Sequence, residues 1–290
     1  MGLFSDNFYS WLDSHNAKPV SDEETMAEHD KHYHPDGYNP ETDRCGKREQ
    51  EKDRDSINPE LPPFTEKKLL ERFGIKVKPF SKEFTEEEKS AFANESLQEG
   101  WAAFAEEPTE EERLKTISRV GNVLSDLEKR FNCKINVDNL LVARLRDKED
   151  GVAIGGFSLA DRIATNESVI VIPTNPPEWD GQTYGHEDDR NTDDMIRHEI
   201  GHALTTKEVV STYASAVRTI LHRTCNDSLQ TLHKVILGCT SEYALKSENT
   251  LEEIAELFCR VTSEDYVGGT VPVELEHLIK NDMIGGVRNV

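Results

Sequence analysis

The chain has 290 residues, enough for one large domain with a real core, or for a domain carrying an arm. Only 36% of its residues are apolar while 31% are charged, so part of the chain is expected to be solvated rather than packed. Thirty-four basic against 56 acidic residues give a net charge of −22, which argues against nucleic acid or an anionic membrane surface as partner, because phosphates would be repelled.

The five cysteines (Cys45, Cys133, Cys225, Cys239 and Cys259) are odd in number and none stands in CxxC spacing. Neither a disulfide framework nor a cysteine zinc site is indicated, and a reducing compartment is the simpler reading. The start of the chain has no basic region and no long apolar run, so no signal peptide is expected. Asp6 stands where a myristoylation pattern needs Ser or Thr, and no apolar stretch is long enough to span a bilayer.

Residues 1–62 read as an acidic polar arm. Ser5 to His15 can form a short amphipathic helix with Phe4, Phe8, Trp11 and Leu12. The tract from Ser21 to Pro63 has almost no aliphatic residues and cannot bury enough surface to offset its ordering entropy. It is expected to be disordered or wrapped on an assembly partner. His29, His32, His34, Asp36 and Cys45 lie within it, but their spacing matches no zinc module, and a solvated linker is the plainer reading.

Residues 63–107 read as a helical segment. One helix runs from Thr65 to Phe73 and ends at Gly74; a second, Thr85 to Glu106, turns Phe92, Leu97, Trp101 and Phe104 inward. The remainder, 108–290, reads as one α+β domain. Its first helix, Thr109 to Phe131, opens on Pro108-Thr109-Glu110-Glu111-Glu112, with acidic residues at the positive end of the dipole. Ile117, Val120, Val123, Leu124, Leu127 and Phe131 give it helical periodicity. The period then changes: Asn139–Leu145, Val152–Phe157 and Ser168–Pro173 are short, branched, apolar runs bounded by turn residues, and read as strands. Gly155-Gly156 lacks phosphate-loop spacing and reads as a bulge or a close approach of backbone. The long polar loop from Thr174 to Asn191 suits a lid or specificity loop. Its acidic run could hold calcium, although a solvated charge run explains it as well.

The next stretch carries the chemistry. Thr192 is expected to cap a helix with Asp193 and Asp194 in its first turn and Met195, Ile196, Ile200, Ala203 and Leu204 on its buried side. Within it stands His198-Glu199-Ile200-Gly201-His202. Histidines four apart lie on one helix face, with Cβ atoms roughly 5–6 Å apart. That gap lets two imidazoles converge on one zinc. Glu199 projects to the side, where it can reach a metal-bound water as general base.

Two helices follow, Glu208 to His222 and Asp227 to Leu237, the second breaking at Gly238. Such a hairpin returns the chain towards its start, so the segment after Gly238 can reach the metal. There Thr250 and Glu253 read as a capping box. Glu252 and Glu256 lie one turn apart on one face, with the small Ala255 allowing close approach to the metal helix. One of the two glutamates can ligate; the other can hydrogen-bond a ligand imidazole from behind. Glu253 is a competing ligand, better suited to the cap. His186, His222, His233 and His277 read as packed or surface histidines.

Together these strings resemble the gluzincin metallopeptidases, closest to the anthrax lethal-factor-like catalytic domain. That family shows His-Glu-x-Gly-His, a Ser-x-Tyr element and Glu-x-x-Ala-Glu-x-Phe; the chain has His198–His202, Ser241-Glu242-Tyr243 and Glu252–Phe258. The resemblance covers roughly residues 110–290 in layout and these three strings in letter. It implies a zincin-like fold, with a small mixed sheet, an active-site helix and a helical C-terminal half. It implies His198, His202 and Glu252 as ligands of Zn2+, Glu199 as general base, Glu256 behind a ligand histidine and Tyr243 at the oxyanion. The spacer between Tyr243 and Glu252 is slightly longer than the family's. A metzincin pattern fails, since Thr205 and Glu208 stand where Gly and His are required.

The expected function is zinc-dependent endopeptidase hydrolysis of a protein or peptide substrate, extended along the edge of Val152–Phe157 or Ser168–Pro173. The acidic composition makes a basic peptide a fitting substrate. A rival reading is a structural or interaction protein whose arm does the work. His34-Pro35-Asp36-Gly37-Tyr38-Asn39-Pro40 resembles linkers of bacteriophage structural and polymorphic-toxin proteins, which would make the chain virion-associated rather than cytoplasmic. A third reading is a self-processing peptidase that trims its own arm.

Overall fold

Asn139–Leu145 and Val169–Pro173 are nearly continuous apolar runs, the composition of strands buried on both faces. In the computed structural model of the chain they form β3 (Asn139–Leu145) and β5 (Val169–Pro173), paired in parallel with Leu140 opposite Ile170. The structure describes residues 63–84, 101, 104–146, 156–160, 162–163, 167–176, 192–240, 244, 249–264 and 266–285, all within the compact unit that begins at Pro63. The arm, most of the expected helix 85–106, most of the expected strand 152–157, the loop 177–191 and Tyr243 lie outside them.

Helix α1 (Glu66–Phe73) starts at Thr65, whose hydroxyl accepts from the Lys68 amide, and stops at Gly74. The φ of +78° at Gly74 is the left-handed conformation that a glycine adopts without penalty. The chain then enters β1 (Lys76–Lys78), parallel to the first half of β3. The expected helix through Glu106 ends earlier. Trp101 and Phe104 are helical, but β2 (Ala105–Glu106) pairs antiparallel with the second half of β3, Ala105 opposite Leu145. The pairing of Ala105 and Glu106 with β3 accounts for the difference; Pro108 restricts only Glu107, the residue before it, and so keeps the chain from turning helical again at once. Segment 63–107 is therefore partly sheet, and both of its described strands pair with β3.

Helix α2 (Glu110–Phe131) carries a full capping box, with the Thr109 hydroxyl accepting from the Glu112 amide and the Glu112 carboxylate accepting from the Thr109 amide at 2.8 Å. On the far side of β5 lies β4 (Phe157–Ala160), antiparallel to it, giving a five-stranded mixed sheet in the order β1-β3-β5-β4, with β2 beside β3. Strand β5 is paired on both sides, so the expectation that Ser168–Pro173 offers a free edge is corrected. Among the described strands β4 is the outermost on that side.

Alternation sorts the two faces of the sheet. Leu141, Ala143, Leu145, Val169 and Val171 meet Trp101, with Phe80, Phe84, Phe104 and Phe157 packed around it. The Trp101 indole donates to the Ser81 carbonyl at 2.8 Å, so its one polar atom is satisfied. Leu140, Val142, Ile170 and Ile172 consequently point to the opposite face, against which α2 and α3 (Thr192–Leu204) pack. The described residues thus form an α+β unit built on a small mixed sheet, with helices making up its C-terminal half.

After α3 come α4 (Lys207–Arg223) and α5 (Leu229–Cys239), then α6 (Thr250–Thr262), α7 (Val273–His277) and a π-helical stretch, Leu278–Met283. Helix α4 extends one residue further at each end than expected, and α5 and α6 differ in how they start. Helix α5 starts after a turn in which Asn226 and Asp227 have positive φ, with Ser228 as cap, and runs through Gly238 to Cys239. Helix α6 is capped by Asn249, whose side chain accepts from the Leu251 amide, so Thr250 is its first residue. Among the described residues no helix is long and apolar enough to cross a membrane.

Candidate metal centre

Helix α3 begins at Thr192, so Thr192 is a helical residue rather than the flanking cap. Asp193 and Asp194 sit in its first turn, where the dipole favours negative charge. Arg119 of α2 donates from Nε to Asp193 Oδ1 at 2.6 Å, tying that turn to the neighbouring helix. Met195, Ile196, Ile200, Ala203 and Leu204 are buried as the apolar stripe requires. Helix α6 lies against α3 at Gly201. A Cβ there would stand 3.0 Å from Ala255 Cα and 3.1 Å from Phe258 Cβ, so a glycine facing an alanine lets the two backbones approach.

That approach brings the ligand atoms together. Nε2 of His198 and Nε2 of His202 are 3.1 Å apart. Glu252 Oε2 is 3.3 Å from His198 Nε2, and Oε1 is 3.5 Å from His202 Nε2. Bonds of about 2.0–2.1 Å in tetrahedral array imply ligand atoms about 3.3–3.4 Å apart. The three separations bracket that value. Each ring faces a different carboxylate oxygen, and with one atom taken from each residue the set spans up to 4.8 Å. The distances through both oxygens are the better guide, since a carboxylate can turn about its last bond. Two imidazoles and a carboxylate suit zinc in composition as well as spacing, with a fourth position left for water.

The groups around this cluster are buried carboxylates. Glu256 is 1% exposed and places Oε1 2.9 Å from His198 Nδ1, behind the ring. Glu199 is 2% exposed, and its Oε2 has no hydrogen-bond partner among the described residues. An orphaned, dry carboxylate oxygen is expensive unless something polar is meant to meet it. Burial pushes the Glu199 carboxyl up to about 8, with His202 opposing and Glu252 adding to the rise. Burial acts on Glu252 in the same sense, but the hydrogen bonds and charges of His198 and His202 together outweigh it and hold Glu252 well below the ordinary carboxylate range. Glu252 is thus held as an anion facing two ring nitrogens, the charge state a cation would select.

Gly156 closes the other side. A Cβ there would meet Glu199 Cγ at 2.9 Å, Glu199 Oε1 at 3.1 Å and the Val171 carbonyl at 3.0 Å. The Gly156 amide donates to Met195 Sδ at 3.3 Å. The expected close approach of backbone is therefore present at Gly156, and what it approaches is Glu199.

The structure brings together His198, His202, Glu252, Glu199 and Glu256, five of the six expected site residues; Tyr243 lies outside the described residues. The expected capping box at Thr250 and Glu253 is not formed. With Asn249 as cap, the position a capping box would use falls on Glu252, which faces the histidines. Glu253 instead accepts from the Tyr213 hydroxyl of α4 at 2.6 Å. Sequence reasoning could not see the partner of the Tyr213 hydroxyl, which is set by a contact between α4 and α6. It also missed Arg197, 3% exposed, which donates from Nη1 to Asp194 Oδ1 at 2.9 Å and lies 3.8 Å from Asp126 and 3.9 Å from Glu264. The only signal for Arg197 was its i,i+3 spacing from Asp194.

Compared with protein-family models, with curated proteins and with solved structures, the chain shows no match. Fold and site define it as a mixed α+β protein with a His198–His202–Glu252 cluster able to hold a metal ion.

Proposed function

We propose that the chain is a zinc-dependent metalloendopeptidase of the gluzincin type, with the zincin-like arrangement that its motifs resemble. One observation carries the reading: two Nε2 atoms and a carboxylate converge at 3.1–3.5 Å beside a buried glutamate with an unsatisfied oxygen.

His198, His202 and Glu252 would hold the zinc. Zinc bound there supplies a water whose pKa is lowered towards about 7 and a Lewis acid for the scissile carbonyl. Glu199 acts as general base, taking a proton from the attacking water and delivering it to the leaving amine. Glu256, with Oε1 2.9 Å from His198 Nδ1, would orient the imidazole from behind while Nε2 of the same ring lies towards Glu252 and His202. Tyr243 is proposed as oxyanion donor, a role worth roughly 3–4 kcal/mol where such donors have been removed. The substrate would add as an extended strand beside β4, whose Phe157 follows directly on Gly156 and so brings the added strand close to Glu199.

The test is Glu199→Gln. The variant is expected to retain stoichiometric zinc and to lose peptide cleavage. Cleavage that persists without Glu199 would remove the mechanism. The readings as an assembly protein or as a self-processing peptidase rest on residues 1–62; chelator-sensitive trimming of that arm by the wild-type chain would favour the latter.

A further inference from the structure

Helix α6 carries the proposed ligand Glu252, and its rotation about its own axis decides where that carboxylate points. The contact of Gly201 with Ala255 and Phe258 sets how closely α6 approaches α3, and the Cys259 thiol donates to the Asp194 carbonyl at 3.3 Å, but neither holds the first turn of α6, where Glu252 stands. Side-chain tips lie about 5–6 Å from a helix axis, so each 10° of rotation moves one by about 1 Å. Metal–ligand distances tolerate only about 0.2 Å. Something must therefore fix the rotation to within a few degrees.

Glu253 is placed to do so. It follows Glu252 by one residue and so projects about 100° further round the helix, away from the metal cluster. There its carboxylate Oε2 accepts the Tyr213 hydroxyl at 2.6 Å. Tyr213 is itself 4% exposed and anchored in the buried stripe of α4 beside Val209, Ala216 and Ile220. The bond is thus a strut from a different helix, set off axis, in the same turn as the ligand.

We infer that Tyr213 is a positioning residue for the metal site: through its hydrogen bond to Glu253 it sets the rotation of α6 and so aims Glu252 at the two histidines. This rests on the zinc reading above.

The experiment measures zinc affinity by competition with a chelating dye on the folded full-length chain, for the wild type and three variants. Tyr213→Phe, which removes one oxygen, is expected to weaken zinc binding about 10–100-fold, the range seen when groups orienting a ligand are lost. Glu253→Leu removes the acceptor while keeping the Tyr213 ring packed, and is expected to match it. Glu253→Gln keeps an acceptor for the phenol and is expected to stay within about threefold of wild type by the same reasoning. A merely structural role would lower the melting temperature of these variants and leave zinc affinity untouched. Zinc binding by Tyr213→Phe within twofold of wild type, or a loss in Glu253→Gln as large as in Glu253→Leu, overturns the inference. If Tyr213→Phe does not fold, the two Glu253 variants decide it alone. A wild-type chain that binds no zinc defeats the underlying reading instead, so the two failures are distinguishable.

Discussion

Replacing Gly201 by alanine sets two effects of opposite sign against each other. In an exposed helix interior the change would stabilise by about 1 kcal/mol, because alanine loses less backbone freedom on folding. At Gly201 the new Cβ would stand 3.0 Å from Ala255 Cα, 3.1 Å from Phe258 Cβ and 3.3 Å from the Ala255 carbonyl oxygen. Comfortable carbon contacts lie at about 3.5–4.0 Å, so α6 must retreat by roughly 0.5–1 Å. Overpacking of this kind costs about 1–3 kcal/mol, which outweighs the propensity gain and leaves a net loss of up to about 2 kcal/mol. The larger consequence falls on the metal, because the retreat is several times the ~0.2 Å that ligand distances allow. Gly201→Ala is expected to keep its helix content, unfold at lower urea and bind zinc at least tenfold more weakly. Urea titration and chelator competition read the two effects separately. A variant that is more stable than wild type and binds zinc equally well would refute the close-packing argument.

Three further outcomes follow from the same geometry. Glu256→Gln removes the charge behind His198 Nδ1 and should weaken zinc binding about 10–100-fold, measured by the same competition. Gly156→Ala crowds Glu199 from a Cβ only 2.9 Å from its Cγ; zinc content and KM should hold while kcat falls roughly 10–100-fold, since small misplacements of a reacting group are costly. In chelator-treated protein the Glu199 carboxyl is raised from 4.5 to about 8, so the folded chain keeps a proton that the unfolded chain has released. Its contribution to stability is full below about 4.5 and is lost as pH rises through about 8, on the order of several kcal/mol. Glu252, held low, acts with the opposite sign and is lost towards acid pH. The difference between wild type and Glu199→Gln in urea unfolding isolates the first effect and should change steadily between pH 5 and 8; parallel curves would contradict it.

Much of this was legible in the sequence because it is governed by local rules. The four-residue spacing of His198 and His202 puts both on one face of a helix whatever surrounds it. The paired spacing of Glu252 and Glu256 does the same one layer away, and Ala255 marks where two helices touch. The Pro108-Thr109 start with its acidic first turn and the stop at Gly74 are likewise set within a few residues. What could not be read depends on contacts across the fold. Nothing near Glu253 says that a tyrosine forty positions earlier (253 − 213) will claim its carboxylate, so a plausible capping box was inferred at Thr250 while Asn249 does the capping. The short pairing of Ala105–Glu106 with β3 overrode a helical pattern, through a partner strand some forty residues further on. Gly156 was legible as a tight spot, but only the fold shows that Glu199 is the group it accommodates.

The most direct test of the account is the zinc content of the purified full-length chain after dialysis, measured beside that of Glu252→Ala. The wild type is expected to retain stoichiometric zinc and Glu252→Ala to lose it while keeping its helix content. A wild-type chain without zinc, or a Glu252→Ala chain that holds it as firmly as wild type, would contradict the assignment of His198, His202 and Glu252 as the metal centre.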